Sequence, residues 1–157
     1  MTSLRFVALD SETVKSLRNG GKDANGQTPE PQVSDGGGNP CRHCLEDMPE
    51  GDPFLVLAHR PFPGAQPYAE VGPLFIHAGD CPRHSESAGV PAYLKTREGI
   101  LIRGYGTNDR IVYGTGKVVA PAEIETAAAK IFADPKIAYI HVRSANNNCF
   151  QFRIERG

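Results

Sequence analysis

Two pairs of metal-type ligands that stand far apart in the chain limit most strongly how it folds. Residues 41–44 read Cys41-Arg42-His43-Cys44, and residues 77–81 read His77-Ala78-Gly79-Asp80-Cys81. Together they spell C-x2-C and H-x3-C, the four soft donors of a tetrahedral Cys3His zinc site. Such donors hold a metal only if they converge on one point, so residues 45–76 must leave and return. Phe54 to His59 (Phe-Leu-Val-Leu-Ala-His) reads as a buried strand, and Leu74 to His77 as its return strand. Arg60 to Gly72, with Pro61, Pro63, Gly64 and Pro67, is the turn region between them. If the two strands are antiparallel neighbours, the start of the first lies beside the end of the second. Both ligand pairs then sit at one end of the hairpin, where a metal staples the chain.

Two other readings of the same residues stand beside zinc. The cysteines can be small buried apolar side chains, with His77 an ordinary strand histidine. A redox C-x2-C pair is the third; such pairs usually follow a strand at a helix N-terminus, whereas Cys41 follows Pro40 and a glycine run. His43 and His84 are substitute ligands if His77 points into the core.

The compartment bears on this choice. Met1 to Asp10 lacks a basic stretch followed by an apolar one, so no export signal is expected. No run of some 18 apolar residues is present, which argues against a transmembrane helix. The expectation is a soluble cytoplasmic protein whose four cysteines stay reduced. The net charge of −1 gives no basic excess for a nucleic-acid partner. A chain of 157 residues, 39% hydrophobic, suits one globular domain over 1–157.

The remaining pattern predicts an α+β fold. Leu4 to Leu9 reads as a strand, with Asp10 or Ser11 capping a short helix through Val14 and Leu17. Residues 19–39 are rich in Gly, Pro and Asn, with Val33 the only large apolar side chain, and predict a mobile loop. Gly99 to Tyr105 and Arg110 to Val119 predict a hairpin about Gly106-Thr107-Asn108-Asp109. From Pro121 to about Ala133, Ile124, Ala127, Ala128, Ile131 and Phe132 fall on one helical face. Pro121 suits the first turn and Pro135 ends the helix. Ile137 to Arg143 and Cys149 to Glu155 alternate as two strands, with Ser144 to Asn148 as their turn. The whole reads as a largely antiparallel sheet with the 121–133 helix packed on one face.

Two further constellations carry chemistry. Arg42, His43, His59, Arg60, Arg83 and His84 fall close in sequence to the cysteine motifs. They form either a basic rim for a small anionic ligand, such as phosphate or carboxylate, or a solvated surface of scattered charges. Gln66, Tyr68 and Glu70 are weaker polar additions to that rim. In the last hairpin, pairing Val142 with Phe150 sets Arg143 across from Cys149 and His141 across from Gln151. A cation and a diagonal imidazole favour a thiolate, so Cys149, His141 and Arg143 are candidates for an enzyme using a reactive cysteine. The bland alternative is a structural hairpin with a half-buried thiol. Gly104, Gly106, Gly114 and Gly116 lie in a hairpin and form no phosphate loop.

Several stretches resemble one family. They are Leu4-Arg5-Phe6 with Leu9-Asp10, Pro40-Cys41-Arg42 with Leu45-Glu46-Asp47, and Gln66-Pro67-Tyr68-Ala69-Glu70 with Gly72-Pro73-Leu74-Phe75-Ile76. At the end stand Ile131-Phe132-Ala133-Asp134-Pro135, Ala138-Tyr139-Ile140-His141-Val142 and Asn148-Cys149-Phe150. These are similar to the bacterial domain-of-unknown-function family 1203. The resemblance implies one compact bacterial domain and no particular reaction, substrate or catalytic residue. It also implies a site confined to a subgroup, because the family pattern carries other residues at Cys44 and His77. The fold is then not expected to require the metal. The leading reading is a binding or interaction module with a zinc site at Cys41, Cys44, His77 and Cys81. The alternatives are the Cys149 enzyme and the anion binder, with Arg60, Arg83, His141, Arg143 and Cys149 as ligand-binding candidates.

Overall fold

Strands of alternating polarity assemble into two antiparallel sheets in the computed structural model, which describes residues 3–157. In chain order the elements are β1 (Leu4–Val7), α1 (Ser11–Arg18), β2 (Glu30–Val33), β3 (Pro53–His59) and β4 (Gly72–His77), followed by β5 (Ile100–Tyr105), β6 (Lys117–Val119), α2 (Ile124–Phe132), β7 (Tyr139–Ser144) and β8 (Phe150–Arg156). The larger sheet has the order β1-β8-β7-β5-β6, and the smaller the order β2-β3-β4. Every pairing is antiparallel. The fold is α+β with one main helix on one face of the larger sheet.

That helix is where periodicity predicts it. Pro121–Glu123 forms a 3-10 turn that runs into α2. Ile124, Ala127, Ala128, Ile131 and Phe132 are all buried, against Ile100, Ile102, Ile140, Val142, Phe152 and Ile154 of the sheet. The fit is tight at Gly104 on β5, where a Cβ would stand 3.0 Å from Ile137 and 3.2 Å from Ile131. A second core, of Leu9, Val14, Leu17, Met48, Phe54, Leu57, Leu74 and Ile76, joins α1 to the smaller sheet and includes Cys41 and Cys44.

Three expectations need correction. Residues 19–39, read as a loop, contain β2, which pairs Glu30–Val33 with β3. All four β2 side chains are exposed, so burial gives no sequence signal. Main-chain pairing holds the segment instead, and Asp23 adds to it by accepting from the Ala58 N–H at 3.0 Å. The hairpin after β5 pairs only through Lys117–Val119, with a single bridge at Tyr105 and Ile111, so most of 110–116 is irregular.

The third correction concerns β7 and β8. Val142 pairs with Phe152 rather than Phe150, and Ile140 pairs with Ile154. A bulge then sets Arg143 opposite Phe150 and leaves Gln151 as the extra residue. Phe150 therefore leaves the face of Phe152 and Ile154 and packs toward the second core. A two-residue slip preserves the inward face of a strand, which is why alternation alone does not distinguish the two registers.

Asp10 caps α1, accepting from the Thr13 N–H at 2.9 Å and its hydroxyl at 2.7 Å. Asp10→Ala is expected to cost about 1 kcal/mol. Phe152→Ala, which empties the middle of the main core, is expected to cost about 3–5 kcal/mol. Urea unfolding of the two variants checks both values.

Candidate metal centre

The site is built by the end of one hairpin. Phe54 at the start of β3 pairs with His77 at the end of β4, so His77 and Cys81 leave the sheet where the chain from Cys44 enters it. Residues 41–44 form a tight turn in which the Leu45 N–H donates to Cys41 O at 2.9 Å and the Cys41 N–H to Glu46 O at 2.9 Å. Leu45 sits at φ 55°, the left-handed geometry that closes the turn. The Arg42 N–H donates to Phe75 O at 2.9 Å, laying the turn against β4. The His77 N–H then points at Cys41 Sγ, 3.3 Å away.

The donors of Cys41, Cys44, His77 and Cys81 all lie within 4.8 Å of one another. Cys41 Sγ and Cys81 Sγ are 3.9 Å apart, and Cys44 Sγ and His77 Nδ1 are 3.5 Å apart. A regular tetrahedron with zinc–sulfur bonds of about 2.3 Å and a zinc–nitrogen bond near 2.0 Å has edges of about 3.8 and 3.5 Å. Those two separations match the edges such an ion needs, and the remaining donor pairs lie within 4.8 Å.

The surroundings suit a negatively charged metal–thiolate group. Arg18, at the end of α1, donates through Nη2 to Cys81 Sγ at 3.2 Å and through Nε to His77 O at 2.9 Å. His43 Nδ1 lies 3.1 Å from Cys81 Sγ, and its Nε2 lies 2.9 Å from Ser11 Oγ. With the Ser11 hydroxyl donating to Nε2, Nδ1 carries the proton and donates to sulfur. His77 presents Nδ1 to the cluster, while its Nε2 stands 3.7 Å from Asp52 Oδ2. A carboxylate behind a ligating imidazole orients the ring and raises its basicity.

Thiol ionisation follows from the crowding. The adjacent Cys44 thiol lowers the pKa of Cys41, against the effect of burial, and backbone N–H groups lower it further. The same contact raises the pKa of Cys44, and burial followed by the Cys41 charge raises that of Cys81. Each thiolate thus opposes the next, and a metal ion bound among them would favour all three ionised. Sequence reasoning missed Arg18, because a basic residue in the last turn of a helix is explained by the helix itself.

The other candidates do not gather around the metal ligands as one rim. Arg83 spends its guanidinium on Ala8 O at 2.6 Å and Leu9 O at 3.3 Å. His84 Nε2 lies 3.0 Å from Gly89 O. Arg60 is partly buried, with Nε unpartnered. Arg42 points away, donating to Phe150 O at 2.7 Å and Pro40 O at 2.8 Å.

The expected environment of Cys149 changes with the register. Arg143 faces Phe150 and His141 faces Arg153, so neither stands directly across from Cys149 or Gln151 as predicted. Arg143 instead contacts Glu70 Oε1 at 2.7 Å, and its Nη2 lies 3.2 Å from His141 Nδ1. His141 is sealed among aromatic rings, with centroids at 4.5 Å for Tyr105, 4.8 Å for Phe150 and 5.0 Å for Phe62.

Burial, then Arg143 and Arg153, hold the His141 pKa well below the usual histidine value. Unfolded, His141 takes up a proton as pH falls through about 6.5, while folded it stays neutral. Its presence therefore costs stability below that pH, by up to about 1.4 kcal/mol per pH unit. His141→Phe is expected to lose less stability than wild type between pH 7 and 5.5, as read by urea unfolding at both values. Equal losses contradict this assignment.

No curated protein and no solved structure matches the chain. A family model described as "Protein of unknown function (DUF1203)" matches residues 38–156, a span that contains Cys41, Cys44, His77 and Cys81 and begins beyond β1, α1 and β2. The chain belongs to this family of proteins of unknown function, DUF1203.

Proposed function

We propose that the protein is a binding or interaction module in which Cys41, Cys44, His77 and Cys81 hold one zinc ion. The observation that carries this reading is the donor geometry: four soft ligands within 4.8 Å, with edges of 3.9 and 3.5 Å where a zinc tetrahedron needs about 3.8 and 3.5 Å. Four protein donors complete the coordination and leave no open position for substrate or water, the mark of a structural rather than a catalytic site. Zinc with three thiolates carries a charge of −1, and Arg18 and His43 supply donors against it. The ion pins the 41–44 turn to the end of β4. Each sheet also has a hydrophobic core of its own, so the metal adds to a fold already supported by packing. Free thiols in this number fit a reducing compartment such as the cytoplasm. No described helix is long and apolar enough to cross a membrane.

Protein purified without chelator is expected to contain close to one zinc per chain by elemental analysis. Cys44→Ser should lower the zinc affinity by about 10-fold or more, by analogy with the loss seen when weaker outer partners are removed. Cys149→Ser should leave zinc content unchanged. Folded wild-type protein free of metal overturns the reading.

A further inference from the structure

We propose that the cleft between the two sheets is a binding site for a small organic anion, a carboxylate or phosphate ester with an apolar body, held by Arg42 and Arg143. The cleft has a volume of about 410 Å³, within the usual range for small-molecule sites. Arg42 of the cysteine turn and Arg143 of β7 both line it, Phe75 and Tyr93 supply apolar wall, and Cys149 and Gln151 line the β8 side. The Arg143 guanidinium bonds to Glu70 and Asn148, which line the neighbouring cavity.

The charge balance of these two arginines points to an anion. Both are only 3% exposed. Among the described residues no carboxylate lies within ion-pair distance of Arg42, and its partners are the neutral carbonyls of Phe150 and Pro40. A guanidinium does not shed its proton to escape burial, so it needs a counter-charge. Arg143 is only partly compensated, since it shares the single oxygen Glu70 Oε1 with Arg103, at 2.7 and 3.0 Å. The Glu70 side chain is itself 45% exposed, and Arg143 Nε is buried with no partner. Arg97, a third lining arginine, is fully matched by Asp47 at 2.8 and 2.9 Å. The acidic lining residue, Glu98, is exposed at the rim. The lining of the cleft therefore carries positive charge that its carboxylates do not fully balance, beside an apolar wall.

This site is separate from the metal ligands, and Cys149 reports on it. Cys149 lines both this cleft and a neighbouring cavity of about 200 Å³ that also contains Arg143. The test uses the full zinc-containing chain and three probes: inorganic phosphate, phenyl phosphate and benzoate. Binding is followed by calorimetry, and the rate of iodoacetamide labelling at Cys149 by mass spectrometry. Saturable binding of phenyl phosphate or benzoate is expected, with labelling of Cys149 slowed several-fold at saturation. The stronger of the two probes tells whether the site prefers a phosphate ester or a carboxylate.

Arg42→Lys and Arg143→Lys, which keep the charge but lose the fork, should weaken binding about tenfold. Because both positions are buried, Ala145→Trp serves as a second variant: it fills the cleft from an exposed lining position and should abolish binding. Three results overturn the proposal: no saturable binding of any probe below about 10 mM, binding untouched by Ala145→Trp, or inorganic phosphate binding that gains nothing from the phenyl group. Zinc is measured in the same samples, so failure in zinc-replete protein sinks the cleft and leaves the metal reading standing.

Discussion

The seating of the Cys41–Cys44 turn on the end of β4 is the contact on which the rest of this molecule depends. A main-chain bond from Arg42 to Phe75 and an N–H from His77 to Cys41 Sγ make it. These bonds bring together two chain segments that the β3–β4 hairpin has already folded back on each other. α1 then docks its last turn over the same spot, so that Arg18 reaches both Cys81 and the carbonyl of His77. Cysteine thiols, helix and hairpin thus meet at one corner, and Cys41 and Cys44 belong at once to the candidate metal centre and to the second hydrophobic core.

The same turn reaches in a second direction. While Cys41 and Cys44 turn toward His77 and Cys81 in the candidate metal centre, Arg42 between them turns into the seam and donates to Phe150 O at the start of β8. One four-residue turn therefore touches both sheets. The β7–β8 bulge prepares the other side of this seam by turning Phe150 out of the main core, its ring meeting His141 and His59 while its carbonyl accepts from Arg42. Burying guanidinium groups at a junction between layers is costly unless they are paired. The carbonyls of Phe150 and Pro40 accept from two of Arg42's nitrogens but do not offset its charge, and that imbalance sets the cleft apart from ordinary packing.

Local pattern carried much of this architecture. The face of α2 and the return strand β4 are visible because burial imposes a period on the residues. The cap at Asp10 is visible because a helix start needs a side-chain acceptor, and β7 shows in its residue types although both of its faces are buried. β2 was not visible, since its four side chains are exposed and its order comes from main-chain bonds that any sequence can make. Alternation does not fix the β7–β8 register, because a slip of two residues leaves the inward face unchanged, and the bulge that moves Phe150 has no composition of its own.

The sequence by itself determined the donor chemistry and the hairpin that closes it. C-x2-C and H-x3-C name their ligands, and two apolar strands of the right length have one economical way to bring them together. Only the tertiary structure decided what surrounds those ligands and where the charges go. Arg18 and Asp52 reach the cluster from elements distant in sequence. Arg42 leaves the motif it belongs to and, with Arg143, comes to line one cleft. Long-range electrostatics depends on which side chains share a low-dielectric space, and spacing along the chain carries no record of that.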